Sequence, residues 1–391
     1  MTNPPKRAAG AIRPLRILEA GENALFAFAV PQQTELCWTG SKPRGRAHLV
    51  LCPIRLVRMF RRLRRGEFDL LVLHAPVYAP WHPRSILTTL VAWNSRFPLG
   101  LFATFAWRCL AWFHDVPIAA LDLGDSCQIY GHDTFLLDRC KAYFKRELPS
   151  DHWLAFCNRW YPVFPGQRWR GTQRHRRRIA KLRPISVGTP PFHEDIRSPA
   201  APEKKTDVFF VGAVEANSTI RAVGVEELRA LQAEGYVVDI PDERLPHAQY
   251  LQRMSQAWLA WSPAGLGWEC HRHYEAPMVG TVPLISTPPI MRHRPLLDGE
   301  HCVLYRVEPG GLAEAVRNAL ADKPRLRQIA AAAREHVRKH HTSVALGEYV
   351  TVQVLGRRLD GSSIDPADQS SKDQSTKENK GIWNSNVGTG P

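Results

Sequence analysis

Short apolar runs alternate with longer amphipathic stretches along most of the chain. Residues 14–19, 68–74 (Phe-Asp-Leu-Leu-Val-Leu-His) and 117–123 (Pro-Ile-Ala-Ala-Leu-Asp-Leu) have the length of short strands, and the second is a continuous apolar run typical of a parallel strand buried on both faces. Between and after them, the spacing of apolar positions predicts helices over 54–65, 85–95, 100–113 and 134–146. Residues 167–202 are rich in Arg and Pro and include Thr189-Pro190-Pro191, so the later part of this stretch reads as an interdomain connection. From Thr206 the alternation resumes. Strands are predicted at 207–212, 236–240, 257–261, 282–286 and 302–307, with helices at 219–234, 246–256, 269–279, 311–321 and 323–340.

Strand and helix in alternation predict an α/β architecture made of two doubly wound, Rossmann-type domains. The expected limits are 1–200, 201–356 and a tail at 357–391, whose Ser, Asp, Lys, Gln and Gly content predicts disorder. The 391 residues are enough for two domains, and 44% hydrophobic residues exclude a disordered chain.

Charge changes the picture, because it is uneven. Residues 1–190 hold 29 Lys and Arg against 12 Asp and Glu, while the remainder holds 23 against 25. The eight cysteines (37, 52, 109, 127, 140, 157, 270 and 302) include no C-x-x-C pair and read as reduced thiols of a cytosolic protein. The first 16 positions are polar and basic and show no signal-peptide pattern. The apolar region 86–113 is interrupted by Arg96, Pro98 and Arg108, which makes it a poor membrane span.

The densest candidate chemistry lies in 261–285. A buried strand runs into a loop with Gly265 and Gly267, then into a predicted helix carrying Glu269, Arg272 and Glu275. At about 100° per residue, Arg272 would stand ~60° from each carboxylate, so one helix side could present all three to the strand ends. Glycines allow close approach of a ligand to backbone, and N–H groups at a helix start suit a diphosphate. Arg272 would add a phosphate contact, and Glu275 would accept two ribose hydroxyls. An ordinary salt-bridged surface helix is the alternative reading of the same trio.

This segment resembles the donor site of GT-B glycosyltransferases of the group 1 type, related to the spore-coat and exostosin-like families. Their Ser-Pro-x-Gly-x-Gly-x-Glu, Arg-x-x-Glu-Ala and Gly-x-x-Pro-Leu-Ile stand here as Ser262, Pro263, Gly265, Gly267, Glu269, Arg272, Glu275, Ala276, Gly280 and Pro283. Many group 1 members place two glutamates eight positions apart. Here position 267 is glycine, and Glu269 lies six before Glu275, as in the spore-coat subgroup. The resemblance extends over 206–340, where Asp-Val-Phe-Phe-Val-Gly212 followed by Arg221 is similar to the family's first strand and its diphosphate-facing cation.

The resemblance implies two domains facing across a cleft. A nucleoside-diphosphate sugar would bind the second domain through Gly212, Arg221, Gly265, Gly267, Arg272 and Glu275, with a glycan or lipid-linked acceptor on the first. Trp268 and Tyr274 are candidates for stacking on the base. In the first half, Asp122, Asp125 and His132 follow a predicted strand end, where doubly wound folds place their clefts; with Glu269 they are the candidate catalytic groups. Lys145 and Arg146 are candidates for positioning an anionic partner.

No Asp-x-Asp follows a predicted strand, so neither a metal nor another cofactor is expected, and arginines would carry the leaving-group charge. Six arginines between Arg55 and Arg65 suit an anionic membrane surface, which predicts a cytoplasmic, peripheral location. A non-catalytic module that binds a nucleotide or glycan, or a basic nucleic-acid-binding factor, is the alternative; no nucleic-acid module accompanies the charge, and no specific nucleic acid is expected.

Overall fold

The computed structural model describes residues 13–21, 23–38, 49–50, 53–75, 110–112, 114–130, 133–156, 173–189, 203–214 and 219–364. The predicted helices at 85–95 and 100–113 lie outside these residues, apart from Leu110–Trp112, as do the tail from 365 onward and His132.

The first half is one seven-stranded parallel sheet, formed by β1 (Ile17–Gly21), β2 (Thr34–Trp38), β3 (Leu49–Val50), β4 (Leu70–Ala75), β5 (Ile118–Asp122), β6 (Ala142–Lys145) and β7 (Leu182–Pro184) in the order β3-β2-β1-β4-β5-β6-β7. Successive side chains of a strand alternate between faces, and both faces here are apolar. Leu18, Leu71, Leu73, Ala120 and Tyr143 meet Leu56, Met59 and Leu63 of α1 (Pro53–Arg64). Ile17, Val72, Ala119, Leu121 and Phe144 face the opposite layer.

The expected helix 134–146 is instead a short helix, Thr134–Arg139, followed by strand β6. Ala142–Lys145 is buried on both faces between β5 and β7. A Lys in such a run argues against a central strand until its partner is known: Lys145, fully buried, donates to Asp122 at 2.8 Å across the β5–β6 pair.

The second sheet is also parallel, with β8 (Thr206–Phe209), β9 (Val238–Asp239), β10 (Ala257–Ser262), β11 (Val282–Ser286) and β12 (Val303–Tyr305) in the order β12-β11-β10-β8-β9. Val208, Phe210, Leu259, Trp261 and Leu284 pack against the helices Thr219–Ala233 and Gly311–Leu320. On the other face, Phe209 and Ala260 meet Met254 of helix His247–Ser255 and Ala276 of helix Arg272–Met278.

Two expectations change at the C-terminal end. Helix Ser343–Leu355 does not belong to the second core: its Leu346 and Val350 join Phe26, Val72 and Leu121 on the first sheet. The region expected as tail from 357 begins with folded chain, since Leu359 is buried in that same core and its carbonyl accepts from Leu15 N–H at 3.2 Å. No helix among the described residues is long and apolar enough to cross a membrane.

Candidate active site between the two sheets

Two of the motif's glycines, Gly265 and Gly267, stand hard against the chain's own charged side chains, and Gly212 is more loosely approached. At Gly265, a Cβ would lie 3.1 Å from the Arg221 Cζ and nearer still to its Nη2. A Cβ at Gly267 would sit 2.5 Å from Glu147 Oε1 and 2.7 Å from Arg146 Nη2, and one at Gly212 would meet Arg272 Nη2 at 3.3 Å. The closeness expected of a ligand is thus already used by Arg221, Arg146, Glu147 and Arg272.

Arg221, on the first turn of its helix, donates through Nη1 to the Ala213 carbonyl (2.9 Å) and through Nε to that of Ala264 (3.2 Å). Arg272 donates to the carbonyls of Trp261 (3.3 Å) and Val211, and its guanidinium lies 5.0 Å from the Phe210 ring centre. The arginines therefore converge on the C-terminal ends of β8 and β10. Burial, and then the charge of Arg272, lower the Arg221 pKa. Arg272 Nε is buried without a hydrogen-bond partner among the described residues. A buried and a half-buried cation with one unmatched donor form a place where an anion would be stabilised.

Glu275 accepts the Tyr250 hydroxyl at 2.7 Å, and burial raises its pKa despite that bond and the nearby His271 and Arg272. Glu269 is not on the helix, which starts at Arg272, so the shared-face geometry does not apply to it. It lies buried in the loop, accepting from Val187 N–H at 2.8 Å and from the Tyr274 hydroxyl. Burial raises its pKa, with the Tyr274 bond and Arg292 opposing.

Glu147 is the residue that sequence reasoning missed. It follows β6, is fully buried, and accepts the backbone N–H groups of Trp268 and Glu269, each at 3.0 Å. The N–H groups expected to greet a diphosphate are therefore capped by a carboxylate from the other sheet. The available signal was a single acidic residue in the run Lys145-Arg-Glu-Leu-Pro149. The same strand end continues the junction: Met291 N–H donates to the Leu148 carbonyl (2.8 Å), and Pro149 bridges Ile290.

Residues 209–349 match the model of a glycosyl transferase-like family. A glycosyltransferase from Rickettsia africae has a similar structure at 9% identity, with a TM-score of 0.52, over 87% of this chain and 98% of that one. Sucrose-phosphate synthase from Thermosynechococcus elongatus (13% identity, TM-score 0.47, 85% and 96% covered) and HepE from Anabaena in complex with UDP (12%, 0.47, 86% and 98%) are also similar. No curated protein matches the chain. The chain has a GT-B-type fold, and its second half carries the match to the glycosyl transferase-like family.

Within this fold, Gly212, Arg221, Gly265, Gly267, Arg272 and Glu275 are gathered at the strand ends of the second sheet. The first-sheet candidates separate. Asp122 is committed to the core, where it accepts from Lys145 and, at 2.9 Å, from the Tyr143 hydroxyl. That pairing corrects its reading as a free acid or base. Asp125 lies half exposed and pairs with Arg146, facing the Gly267 loop side of the junction. Lys145 and Arg146 are likewise engaged by Asp122, Asp125 and Glu147 rather than displayed on a helix. Tyr274 is a core residue at 2% exposure, stacked near His341 at 4.5 Å, and is not available to a base. Among the described residues no group of three or more His, Cys, Asp or Glu could hold a metal ion.

Proposed function

We propose that this protein is a glycosyltransferase that moves a sugar from a nucleoside diphosphate to the hydroxyl of a glycan or lipid-linked acceptor in the cleft between its two sheets. The observation that carries this reading is the pair of cations, buried Arg221 and half-buried Arg272, at the strand ends of the domain that matches the family. The acceptor oxygen attacks the anomeric carbon as the bond to the diphosphate breaks. The two guanidinium groups stabilise the charge that develops on the leaving phosphate, with no divalent ion required. Glu275, held by Tyr250, orients the ribose. Asp125, more exposed than Asp122 and held by Arg146, takes the acceptor proton.

A thermal-shift panel of UDP, GDP, ADP, CMP and their sugar conjugates tests the donor site, because a ligand that binds only the native state raises the melting temperature. One nucleoside diphosphate should shift the wild type and fail to shift Glu275→Ala and Arg272→Ala. No shift by any nucleotide would refute the reading. Loss of transfer in EDTA, restored by a divalent metal, would refute the metal-free step.

The acceptor side is proposed to rest on anionic lipid. Helix Pro53–Arg64 exposes Ile54 and Val57 beside Arg58, Arg61 and Arg65 around one surface concavity, an apolar and basic face suited to an anionic headgroup layer. Vesicles of phosphatidylglycerol should bind the protein at low salt and release it at high salt, and an Arg58→Glu/Arg61→Glu variant should not bind.

A further inference from the structure

The turn between the Gly267 loop and helix Arg272–Met278 holds a second chemical group that sugar transfer does not use. Cys270, partly exposed, lies with its Sγ 3.0 Å from the Ser262 Oγ and 3.6 Å from the His273 Nδ1, and that hydroxyl and ring nitrogen are 2.6 Å apart. His273 is fully buried, and its Nε2 stands 3.2 Å from the Trp268 carbonyl oxygen. A carbonyl can only accept, so Nε2 carries the proton in the neutral ring and Nδ1 presents its lone pair to the hydroxyl and the thiol. The arrangement is a thiol beside an oriented base, with a third group fixing the base and a hydroxyl placed to donate to the sulfur once it is charged.

We propose that Cys270 is an activated thiol and a modification site for hydroperoxides, which would oxidise it to a sulfenic acid within the donor-side loop. His273 Nδ1 takes the thiol proton. The thiolate then attacks one oxygen of hydrogen peroxide, the O–O bond breaks, and the departing hydroxide takes the proton from His273 to leave as water. Sulfur loses two electrons, the peroxide gains them, and the histidine returns to its starting state.

The other described cysteines lack this setting. Cys37, Cys140 and Cys302 are buried, with burial pushing Cys140 and Cys302 up to about 12. Cys127 has comparable exposure to Cys270 but is raised by burial and by the Glu147 charge. At Cys270 burial also raises the thiol, yet the His273 charge, its hydrogen bond and Arg272 outweigh it and hold the pKa well below the ordinary range. Low pKa with partial access is the combination that makes a cysteine reactive. The added oxygen would stand beside Ser262 and His273, just before helix Arg272–Met278; that it would block donor binding rests on the function proposed above, whereas the reactivity does not.

The test follows alkylation of the whole protein by iodoacetamide from pH 5.5 to 9, with the Cys270 and Cys127 peptides quantified by mass spectrometry. Cys270 should react at least tenfold faster than Cys127 at pH 6.5, with a half-maximal rate at a clearly lower pH than that of Cys127, and His273→Gln should move that midpoint upward. Hydrogen peroxide followed by dimedone should place the adduct on Cys270. A wild-type midpoint no lower than that of Cys127, labelling no faster than Cys127, or no dimedone adduct would overturn the proposal. The wild-type profile decides even if the His273 variant does not fold. No nucleotide is present, so failure of the donor-site reading leaves this result unaffected.

Discussion

Gly224 sits on the helix that carries Arg221, with its α-carbon against the indole of Trp261. An added Cβ would lie 2.5 Å from Trp261 Cη2 and closer still to Cζ2. Carbon atoms need about 3.5–4.0 Å, so either the helix retreats by roughly 1 Å or the indole turns. The indole cannot turn freely: it is fully buried, its Nε1 donates to the Tyr305 hydroxyl at 3.0 Å, and its ring lies 4.4 Å from that of Phe210. With the indole held in place, overpacking falls in the upper part of its range, about 2–3 kcal/mol, while alanine for glycine within a helix returns about 1 kcal/mol. Gly224→Ala should therefore lose about 1–2 kcal/mol net, which for domains of this size lowers the melting temperature by roughly 2–8 °C. Because the retreat carries Arg221 with it, the thermal shift given by the nucleotide should also shrink. Thermal unfolding followed by tryptophan fluorescence measures both. A variant as stable as the wild type, or more stable, would show that helix propensity prevails and that the indole does not press on this helix as described.

Three further outcomes follow from buried charge. Replacing Lys145 by Met leaves the Asp122 carboxylate buried with the Tyr143 hydroxyl and one backbone N–H, and should cost about 3–5 kcal/mol in urea unfolding; the double variant with Asp122→Asn should recover much of it, and no recovery would refute the pairing. Glu147→Gln turns one acceptor of the Trp268 and Glu269 N–H groups into a donor and should cost about 2 kcal/mol; an unchanged denaturant midpoint would refute its role at the junction. Stability should also fall as pH drops from about 7 to 5. Burial lowers the His293 pKa to about 3 and that of His340 to about 4, and holds His341 well below its ordinary value. The unfolded chain thus takes up protons below its ordinary histidine pKa of about 6.5 that the native protein refuses. At pH 5 His293 favours unfolding by about 1–2 kcal/mol, His340 by less because it is half exposed, and His341 in the same direction, whereas the raised pKa values of Glu269 and Glu275 act in the opposite direction. A melting temperature that is level or rising between pH 7 and 5 would refute the net sign.

The amino-acid pattern alone located all five strands of the second sheet, two of them, Ala257–Ser262 and Val282–Ser286, to within one residue. Its strands are short apolar runs between amphipathic helices, and elements next to one another in sequence often pack together, as with Arg272–Met278 and Val282–Ser286. It also brought Arg221, Arg272 and Glu275 to one strand-end region, because a strand, a glycine loop and a helix in succession leave little freedom in where those side chains fall. What it could not determine depends on contacts between residues far apart in the chain. Lys145 reads as solvated until Asp122, 23 positions earlier, is seen beside it. Glu147 is unremarkable until the N–H groups of Trp268 and Glu269, more than 120 positions away, converge on it. Helix Ser343–Leu355 carries an apolar face that either sheet could cover, and only tertiary packing gave it to the first. Local periodicity records which residues must be buried; the partners that make buried charge tolerable are chosen by the assembled chain.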